Sequence, residues 1–411
     1  MSQISRRAFL AGAGGIAVGA GAFGAGYGLA AGTEDAGPPT GRRVEFHGVH
    51  QAGITVDPTP ARGLAAAFTM IADDRAHVAE TLRELSDEIE GLMTGRPIEV
   101  RDRAFPPTDS GILGPDPPPD DLSIVVSVGA SLFDDRYGLA DKRPRELVRM
   151  PFLANDRLDS ERSHGDVLLT VQAEHSDTVL FALRQLMRRT RRTLLLKWVV
   201  EGFNRRSSPT DRTTGSPRNL LGFVDGTANL QLSQQDLLDR HVWTAATGGE
   251  PAWTAGGSYH VIRQIRMLVE FWDRTPLAEQ ESLIGRRKSD GAPLDGVHET
   301  DVPDYAADPE GKLTPLDAHI RRANPRTPET QANLILRRGF SYSRGFDGAG
   351  QLDQGLAFVS YQRSLADGFL AVQSRLSGEG LEEYIRGEGG GFFFALPGAQ
   401  PGGHLGDGLL A

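Results

Sequence analysis

One succession of apolar segments occurs twice along this chain of 411 residues, and it constrains the fold more than any single motif. In the first half, two helices are indicated at 78–93 and 176–189, because apolar residues recur there every three or four positions. Residues 50–71 indicate a strand followed by an extended or second strand region, and further strands are indicated at 121–133, 166–173 and 193–203. The predicted order is therefore strand, helix, strand, strand, helix, strand.

The second half repeats this rhythm after a polar connection that contains Pro and Gly at 204–218. Its strands are predicted at 257–272, 355–363 and 389–398, and its helices at 276–286 and 365–376. Two β-α-β-β-α-β units are the simplest interpretation, so we expect an α+β protein of two tandem ferredoxin-like domains, at 44–204 and 205–411. A long polar segment at 286–333 shows few helix or strand signals, and such segments in compact domains usually carry function.

The N-terminus has the features of an export signal. Adjacent arginines, Arg6 and Arg7, precede an uncharged, glycine-rich stretch from Ala8 to Ala31. A weakly hydrophobic segment after a twin-arginine pair is typical of Tat signals, while a permanent membrane anchor is the alternative that its length allows. We expect a signal and linker at 1–43, cleavage near residues 30–36, and a periplasmic or extracellular protein.

Charge and cysteine content exclude several classes of protein. The formal net charge of −10 gives no electrostatic footprint for nucleic acid, and it disfavours an anionic membrane surface. The chain has no cysteine, which excludes disulfides, thiolate-ligated zinc and iron–sulfur clusters. A metal in this protein must therefore be held by His, Met, Tyr or carboxylate side chains.

Two residues are candidates for chemistry. Asp225 lies among apolar and small residues in NLLGFVDGTANL, where it is either part of an Asp-Gly turn or a carboxylate that needs a partner. His319 lies in the polar segment beside several arginines, as a lone haem-ligating histidine would, since arginines bind haem propionates. A solvated basic loop is the alternative for that region. His47, His50 and His164 are interpreted as structural.

Six ordered stretches resemble the dye-decolourising (DyP-type) haem peroxidases. GFVDGTAN is similar to the family's G-x-x-D-G motif, DAHIRRANPR to its proximal-histidine segment and LRRGFSYSRG to its distal-arginine segment. HGDVLLTVQA, EPAWTAGGSYHVIRQIRMLVEFWDRTPL and GGGFFFALPG also resemble the family, so the likeness covers most of the chain after residue 45. The twin-arginine signal points to the exported subgroup associated with iron uptake, some members of which are called deferrochelatases.

The resemblance implies a haem b cofactor, one per chain, and roles for particular residues. His319 corresponds to the proximal iron ligand, Asp225 to the distal acid–base and Arg337 to the distal arginine, with Arg338 as the alternative if the pair is misaligned. The residues implied to contact the haem are Gly226, Thr227, Ala228, Asn324, Pro325, Arg326 and Arg337. The family's fold is a dimeric α/β-barrel-like arrangement of the ferredoxin-like domains.

The implied reaction assigns a catalytic role to Asp225. A carboxylate near the iron can carry a proton from the inner to the outer oxygen of H2O2, while Arg337 stabilises the charge that develops on the departing oxygen. A carboxylate behind His319 is expected, for which Asp367 is a weak candidate. Because Asp has an ordinary pKa about 2.6 units below that of His, we expect activity to persist into acidic pH.

Three functions remain open at this point. The leading one is a peroxidase that uses H2O2 to oxidise phenolic or dye-like reductants. Reductants too bulky for the haem pocket would need electron transfer through a surface aromatic residue. The aromatic residues available for it are expected to be core residues: Trp198, Trp243, Trp253, Trp272 and Tyr361. A protein that carries haem or releases its iron in iron acquisition, beside iron-uptake transporter components, is the second. A haem-free ferredoxin-like protein is the third. A homodimer is one option for the assembly.

Overall fold

The computed structural model describes residues 41–205 and 217–411. The predicted export signal, its cleavage site and most of the connection at 204–218 lie outside the described residues. Within the described ranges, no helix combines the length and the apolar character needed to cross a membrane.

The first half forms the predicted β-α-β-β-α-β unit. Its elements are β1 (Arg62–Met70), α1 (Arg75–Thr94), β2 (Ser123–Gly129), β3 (Val167–Ala173), α2 (Ser176–Arg189) and β4 (Leu194–Phe203). The strands lie side by side in the order β2-β3-β1-β4, and all neighbours are antiparallel. The extended region expected from residue 50 is wrong over its first part, because Ala52–Ile54 form a 3-10 turn and β1 begins only after Pro58 and Pro60, which lack the amide hydrogen that a strand pair needs.

Helix α1 illustrates how the sequence sets an element's limits. The carboxylate of Asp74 accepts a hydrogen bond from the backbone amide of His77 at 2.9 Å and caps the first turn. Gly95 ends the helix in the left-handed conformation, at φ 71°, which costs glycine no steric strain. Between these caps, Leu82 and Leu85 are fully buried against the sheet.

The second half has the same topology with shorter helices. Its elements are α3 (Gln235–His241), β5 (Ser258–Met267), α4 (Val269–Trp272), α5 (Leu277–Ile284), α6 (His319–Ala323), β6 (Leu336–Arg337), β7 (Phe340–Phe346), β8 (Leu352–Gln362), α7 (Ala371–Leu376), β9 (Ile385–Ala395) and α8 (Asp407–Leu410). The strand order β9-β5-β8-β7 mirrors the order β4-β1-β3-β2 of the first half. Strand β7 has no counterpart in the sequence prediction, and a π-helical turn, Ala366–Leu370, precedes α7.

Two contacts between the halves close the sheet into a barrel. Strand β2 pairs with β9, and β4 pairs with β7 through Phe203 and Ser341. The interior is filled by alternate residues of the strands, including Ala65, Trp198 and Tyr361, whereas Leu64 and Phe68 belong to the core formed with α1 and α2 outside the barrel. The expectation of a duplicated ferredoxin-like, barrel-like α+β fold is confirmed.

Candidate active site in the second half

A cavity of about 300 Å³ lies on the outer face of the second half of the sheet. Strands β5, β8 and β9 form one side, and α6, α7 and the loop 219–230 form the others. Much of the wall is apolar, and its polar groups include Asp225, Arg263, Arg286, His319, Asn324, Arg326, Arg337 and Glu379. Apolar walls with a few convergent polar groups are the usual composition of a small-molecule or cofactor site.

Asp225 and Arg337 form an ion pair at this cavity. Arg337 donates from Nη1 to Oδ1 of Asp225 at 2.9 Å, and about a third of each side chain is exposed. Asn229 fixes the arginine from behind, since its amide donates to the carbonyl of Arg337 and accepts from the backbone amide of Arg337. The carboxylate and guanidinium are thus held together although 112 residues separate them in sequence.

The strand geometry separates Arg337 from its neighbour Arg338. Successive strand residues point to opposite faces, so Arg337 at the end of β6 lines the cavity whereas Arg338 lies within the barrel. Arg338 is only 5% exposed and donates from Nη2 to the carbonyl of Val56. Burial lowers the pKa of Arg338 to about 10. Of the two arginines, only Arg337 contacts Asp225.

His319 is paired with a carboxylate on the other side of the cavity. Nδ1 of His319 lies 2.8 Å from Oε2 and 3.1 Å from Oε1 of Glu379, whose side chain is buried. Burial lowers the pKa of His319, but the charge and hydrogen bond of Glu379 outweigh it, so the pKa is raised overall. The carboxylate behind His319 is therefore Glu379 and not Asp367, whose side chain lines a different cavity. No local signal marks Glu379, because the pairing spans 60 residues.

The remaining predicted contacts are distributed around the same cavity. Gly226, Thr227, Ala228, Asn324 and Arg326 line it, whereas Pro325 does not. Thr227 donates to Oε1 of Glu299 at 3.0 Å, which anchors the loop that follows Asp225. Asn324 accepts a hydrogen bond from the backbone amide of Arg326. The motif residues, far apart in sequence, are thus brought to one place.

Three observations fit a haem in this cavity. Glu379 occupies Nδ1 of His319, and within the described ranges no protein group hydrogen-bonds Nε2, which leaves that nitrogen available to a metal. Gly226 has φ 111°, and a Cβ there would meet no protein atom within 4 Å, so its backbone borders open space. Nε of Arg326 is buried without a partner among the described residues, as suits a cation that binds a propionate.

The histidines and aromatic residues named from the sequence lie elsewhere. His47 contacts Glu90, and His50 bonds the carbonyl of Gly256 while it stacks on Trp243 with ring centroids 3.8 Å apart. The aromatic residues available as surface relays are all at most 9% exposed: Trp198, Trp243, Trp253, Trp272 and Tyr361. Each of them is a core residue.

Comparison with known proteins adds an independent line of evidence. Two family models match the chain: "Dyp-type peroxidase, N-terminal" over residues 51–204 and "Dyp-type peroxidase, C-terminal" over residues 216–400. A Yersinia pestis protein named deferrochelatase is 48% identical over 374 residues, which cover 91% of this chain and 85% of the relative. The deferrochelatase of Escherichia coli strain K12 is 50% identical over 356 residues, which cover 86% and 84%.

Solved structures agree with these matches. Ferric DtpA from Streptomyces lividans superposes with a TM-score of 0.80 at 37% identity, covering 90% of this chain and 97% of that chain. The DyP-type peroxidase from Cellulomonas bogoriensis also gives a TM-score of 0.80, at 34% identity, with 90% and 98% covered. Both the sequence resemblance and the barrel of two ferredoxin-like units therefore have close counterparts among known proteins.

Proposed function

The chain belongs to the Dyp-type peroxidase family, and from that premise we propose that it is a haem b peroxidase, with one haem per chain, that reduces H2O2 and oxidises phenolic or dye-like donors. The family makes the chain an enzyme of the Dyp-type peroxidase type, and a haem protein. The observation that carries the residue assignment is that one cavity is lined by the Asp225–Arg337 pair and by the His319–Glu379 pair.

His319 is the proposed axial ligand. Its Nδ1 hydrogen is directed to Glu379, so the lone pair of Nε2 is left to bind the iron. Glu379 is almost fully buried, and it both orients the ring and makes the imidazole a stronger electron donor. Arg326 and the backbone at Gly226 would hold the edges and face of the porphyrin.

Asp225 and Arg337 are the proposed acid–base and charge-stabilising groups. When bound, haem supplies the redox chemistry. The carboxylate of Asp225 takes a proton from one oxygen of H2O2 and returns it to the other, so that water leaves. The guanidinium of Arg337, already oriented by Asn229, donates hydrogen bonds to the oxygen on which negative charge develops.

The decisive experiment compares Asp225→Asn with wild type after haem loading. We expect the absorbance change after one equivalent of H2O2 to be slowed by about 10²–10⁴-fold, the range for loss of a general acid–base group. Asp273→Asn, at an exposed aspartate outside the cavity, is the matched control and should react like wild type. An unchanged rate in Asp225→Asn would remove Asp225 from the mechanism.

The use of Asp225 also predicts the pH dependence of turnover. A carboxylate must be ionised to accept the proton, and Asp ionises at lower pH than His. Activity should therefore persist at acidic pH values where a histidine base would already be protonated. A rate that is lost as the pH falls below about 6.5 would contradict the assignment.

Release of iron from haem is the second candidate function. It is favoured by the name deferrochelatase of relatives that are 48–50% identical. The test is to incubate the haem-loaded protein with a ferrous chelator and to look for iron-free porphyrin by its fluorescence. Recovery of porphyrin together with chelated iron would support this function, whereas recovery of intact haem alone would support the peroxidase only.

We also propose that the protein is exported by the Tat pathway to the periplasm or cell exterior, where it works with iron-uptake transporter components, and that it forms a homodimer. Arg6 and Arg7 support the export proposal. Replacing both with Lys should retain the protein in the cytoplasm, which cell fractionation measures. Sedimentation of the exported protein tests the dimer.

A further inference from the structure

A second cavity adjoins the candidate active site. We call it the outer cavity; it has a volume of about 530 Å³, and the residues used below are Arg240, His241, Leu334, Arg363 and Asp367. Leu334 also lines the candidate active site, three residues before Arg337. The two cavities therefore share a wall, and at Leu334 that wall is one residue thick.

The wall between the cavities consists of two irregular segments. In the 3-10 turn Pro328–Asn333, Gln331 and Ala332 line the outer cavity, whereas Asn333 lines the active site. In the π-helical turn Ala366–Leu370, Asp367 faces the outer cavity. The amide of Asn333 donates to the carbonyl of Asp367 at 2.6 Å and ties the segments together. Isolated π-turns in proteins occur frequently at functional sites.

Two arginine side chains in the lining of the outer cavity have no hydrogen-bond acceptor among the described residues. The guanidinium groups of Arg240 and Arg363 form no hydrogen bond or ion pair with any residue in the described ranges. By contrast, two of the carboxylates in the lining are engaged. Glu146 accepts from the hydroxyl of Ser364 and the amide of Ala366, and Glu250 accepts from the hydroxyl of Tyr259. The outer cavity thus offers unused donors to a ligand that supplies acceptors.

The third carboxylate of the lining, Asp367, is exposed and forms no ion pair with either arginine in the described structure. An apolar surface lies close to the cations, because Leu237 and Leu334 are both in the lining. The ring of His241 completes the cavity. Burial, and then the charge of Arg240, lower the pKa of His241, so the imidazole is neutral at pH 7 and has one nitrogen free to accept a proton.

We propose that the outer cavity binds the organic reductant, and that the reductant is a small phenolic carboxylate whose acid group lies on Arg240 and Arg363 and whose ring lies against Leu334. This inference rests on the proposed peroxidase function. Reduction of one H2O2 to two waters consumes two electrons and two protons. Two phenol molecules supply them: each gives up one electron and one proton and leaves as a phenoxyl radical. The phenolic proton passes to His241 and from there to solvent, the electron crosses the wall at Leu334 into the active-site cavity, and the two protons consumed there are taken up from solvent.

The test is equilibrium dialysis of 4-hydroxybenzoate against the resting, haem-loaded protein without peroxide. In the double variant Arg240→Gln/Arg363→Gln we expect binding to weaken by about tenfold to a hundredfold, since two charge-assisted hydrogen bonds are lost and solvent screens both of these exposed side chains. The neutral analogue 4-hydroxybenzyl alcohol should bind the double variant and the wild type equally. Asp367→Asn should tighten binding of 4-hydroxybenzoate, because it removes a nearby negative charge. Arg274→Gln, at an exposed arginine outside both cavities, is the control.

Steady-state kinetics of the same variants give a second test of the inference. The double variant should raise KM for 4-hydroxybenzoate by the same factor while kcat and the KM for H2O2 remain those of wild type. Unchanged binding in the double variant, or equal loss of the acid and the alcohol, would overturn the inference even if the enzyme turns over. If wild-type protein binds 4-hydroxybenzoate but reacts with neither peroxide nor any donor, the proposed function is refuted. The outer cavity would then be an anion-binding site without a role in peroxidase turnover.

Discussion

The two halves of the barrel have one topology but use the outer face of the sheet differently. In the first half, α1 and α2 are 20 and 14 residues long, and they pack on the face with buried side chains such as Val78, Leu82 and Leu85. In the second half, α5, α6 and α7 are eight, five and six residues long, and they leave a cavity. Shortening and breaking helices over the same sheet thus converts a packed core into a binding site.

The strand residues beneath the helices differ accordingly. The outer face of β1 presents Leu64 and Phe68 to an apolar core. The outer face of β5 presents Arg263 and Ile265 to the cavity. Arg263 is buried and paired with Asp156, and its Nε has no partner among the described residues. A buried cation is costly in a packed core, and Arg263 lies where the second half of the sheet borders the cavity instead of an apolar core.

The largest effect should separate two histidines that have similar partners. His319 is paired with Glu379 in the second half, and His175 is paired with Asp120 at 2.6 Å in the first. His319→Ala should abolish stable haem binding, because the axial ligand is lost, whereas His175→Ala should leave it unchanged, because His175 does not line the candidate active site. Titration of the cofactor-free protein with haem, followed in the Soret band, measures both. Equal retention of haem would make His319 a structural residue.

The next effect concerns the arginine pair. Arg337→Gln should reduce the rate of reaction with H2O2 by about 10²–10³-fold, the cost of removing one preorganised donor, with little change in stability. Arg338→Gln should instead lower the stability and leave the rate of reaction with H2O2 nearly unchanged, because the side chain of Arg338 is enclosed in the barrel that both halves share. Stopped-flow absorbance and thermal unfolding distinguish the two. The assignment fails if Arg338→Gln gives the larger loss of rate in a protein that remains folded.

A pair of leucine truncations should sharpen the contrast between core and cavity. Leu85→Ala, in the fully buried face of α1, should lower the free energy of unfolding by about 2–5 kcal/mol. Leu376→Ala, in the lining of the cavity, should cost the haem-free protein less than about 1 kcal/mol, because Leu376 is already partly exposed. Urea denaturation gives both values. Equal losses would show that the second half is packed as tightly as the first.

The last effect is acid destabilisation of the barrel that both halves build. His260 is buried within it and bonded to Ser127, and burial lowers the pKa of His260 to about 3. Between pH 6.5 and about 3 the unfolded histidine takes up a proton that the folded one does not, so stability should fall by about 1.4 kcal/mol per pH unit. His260→Gln should flatten the dependence of the unfolding free energy on pH over this range. An unchanged slope would mean that groups other than His260 determine the pH dependence of the unfolding free energy.

Much of the fold followed from local patterns. The apolar spacing of α1 and the caps at Asp74 and Gly95 are encoded within about twenty residues, and the structure has that helix where it was expected. The 3-10 turn at Ala52–Ile54 and the π-helical turn at Ala366–Leu370 were not predicted, because both depend on packing against distant residues and not on a local period. Strand β7 was missed because no local pattern marks it: it pairs with β8 in a register that shifts between Ser343 and Phe346, and with β4 of the other half through a single residue pair.

The site divides in the same way. Asp225, Arg337 and His319 were named from motifs, each readable in a few adjacent residues. Glu379 was not found, because a buried carboxylate is recognised only by the side chain it contacts, 60 residues away. The choice between Arg337 and Arg338 needed the alternation of a strand, which puts one in the cavity and the other in the barrel.

The sequence by itself determined the repeated β-α-β-β-α-β order, the family and the residue types available for chemistry, since these depend on local periodicity and short motifs. The tertiary structure alone decided that Asp225 meets Arg337, that His319 meets Glu379 and that a second cavity shares the wall at Leu334. Such contacts arise only when the closed barrel brings distant segments together, and no local pattern of residues records them.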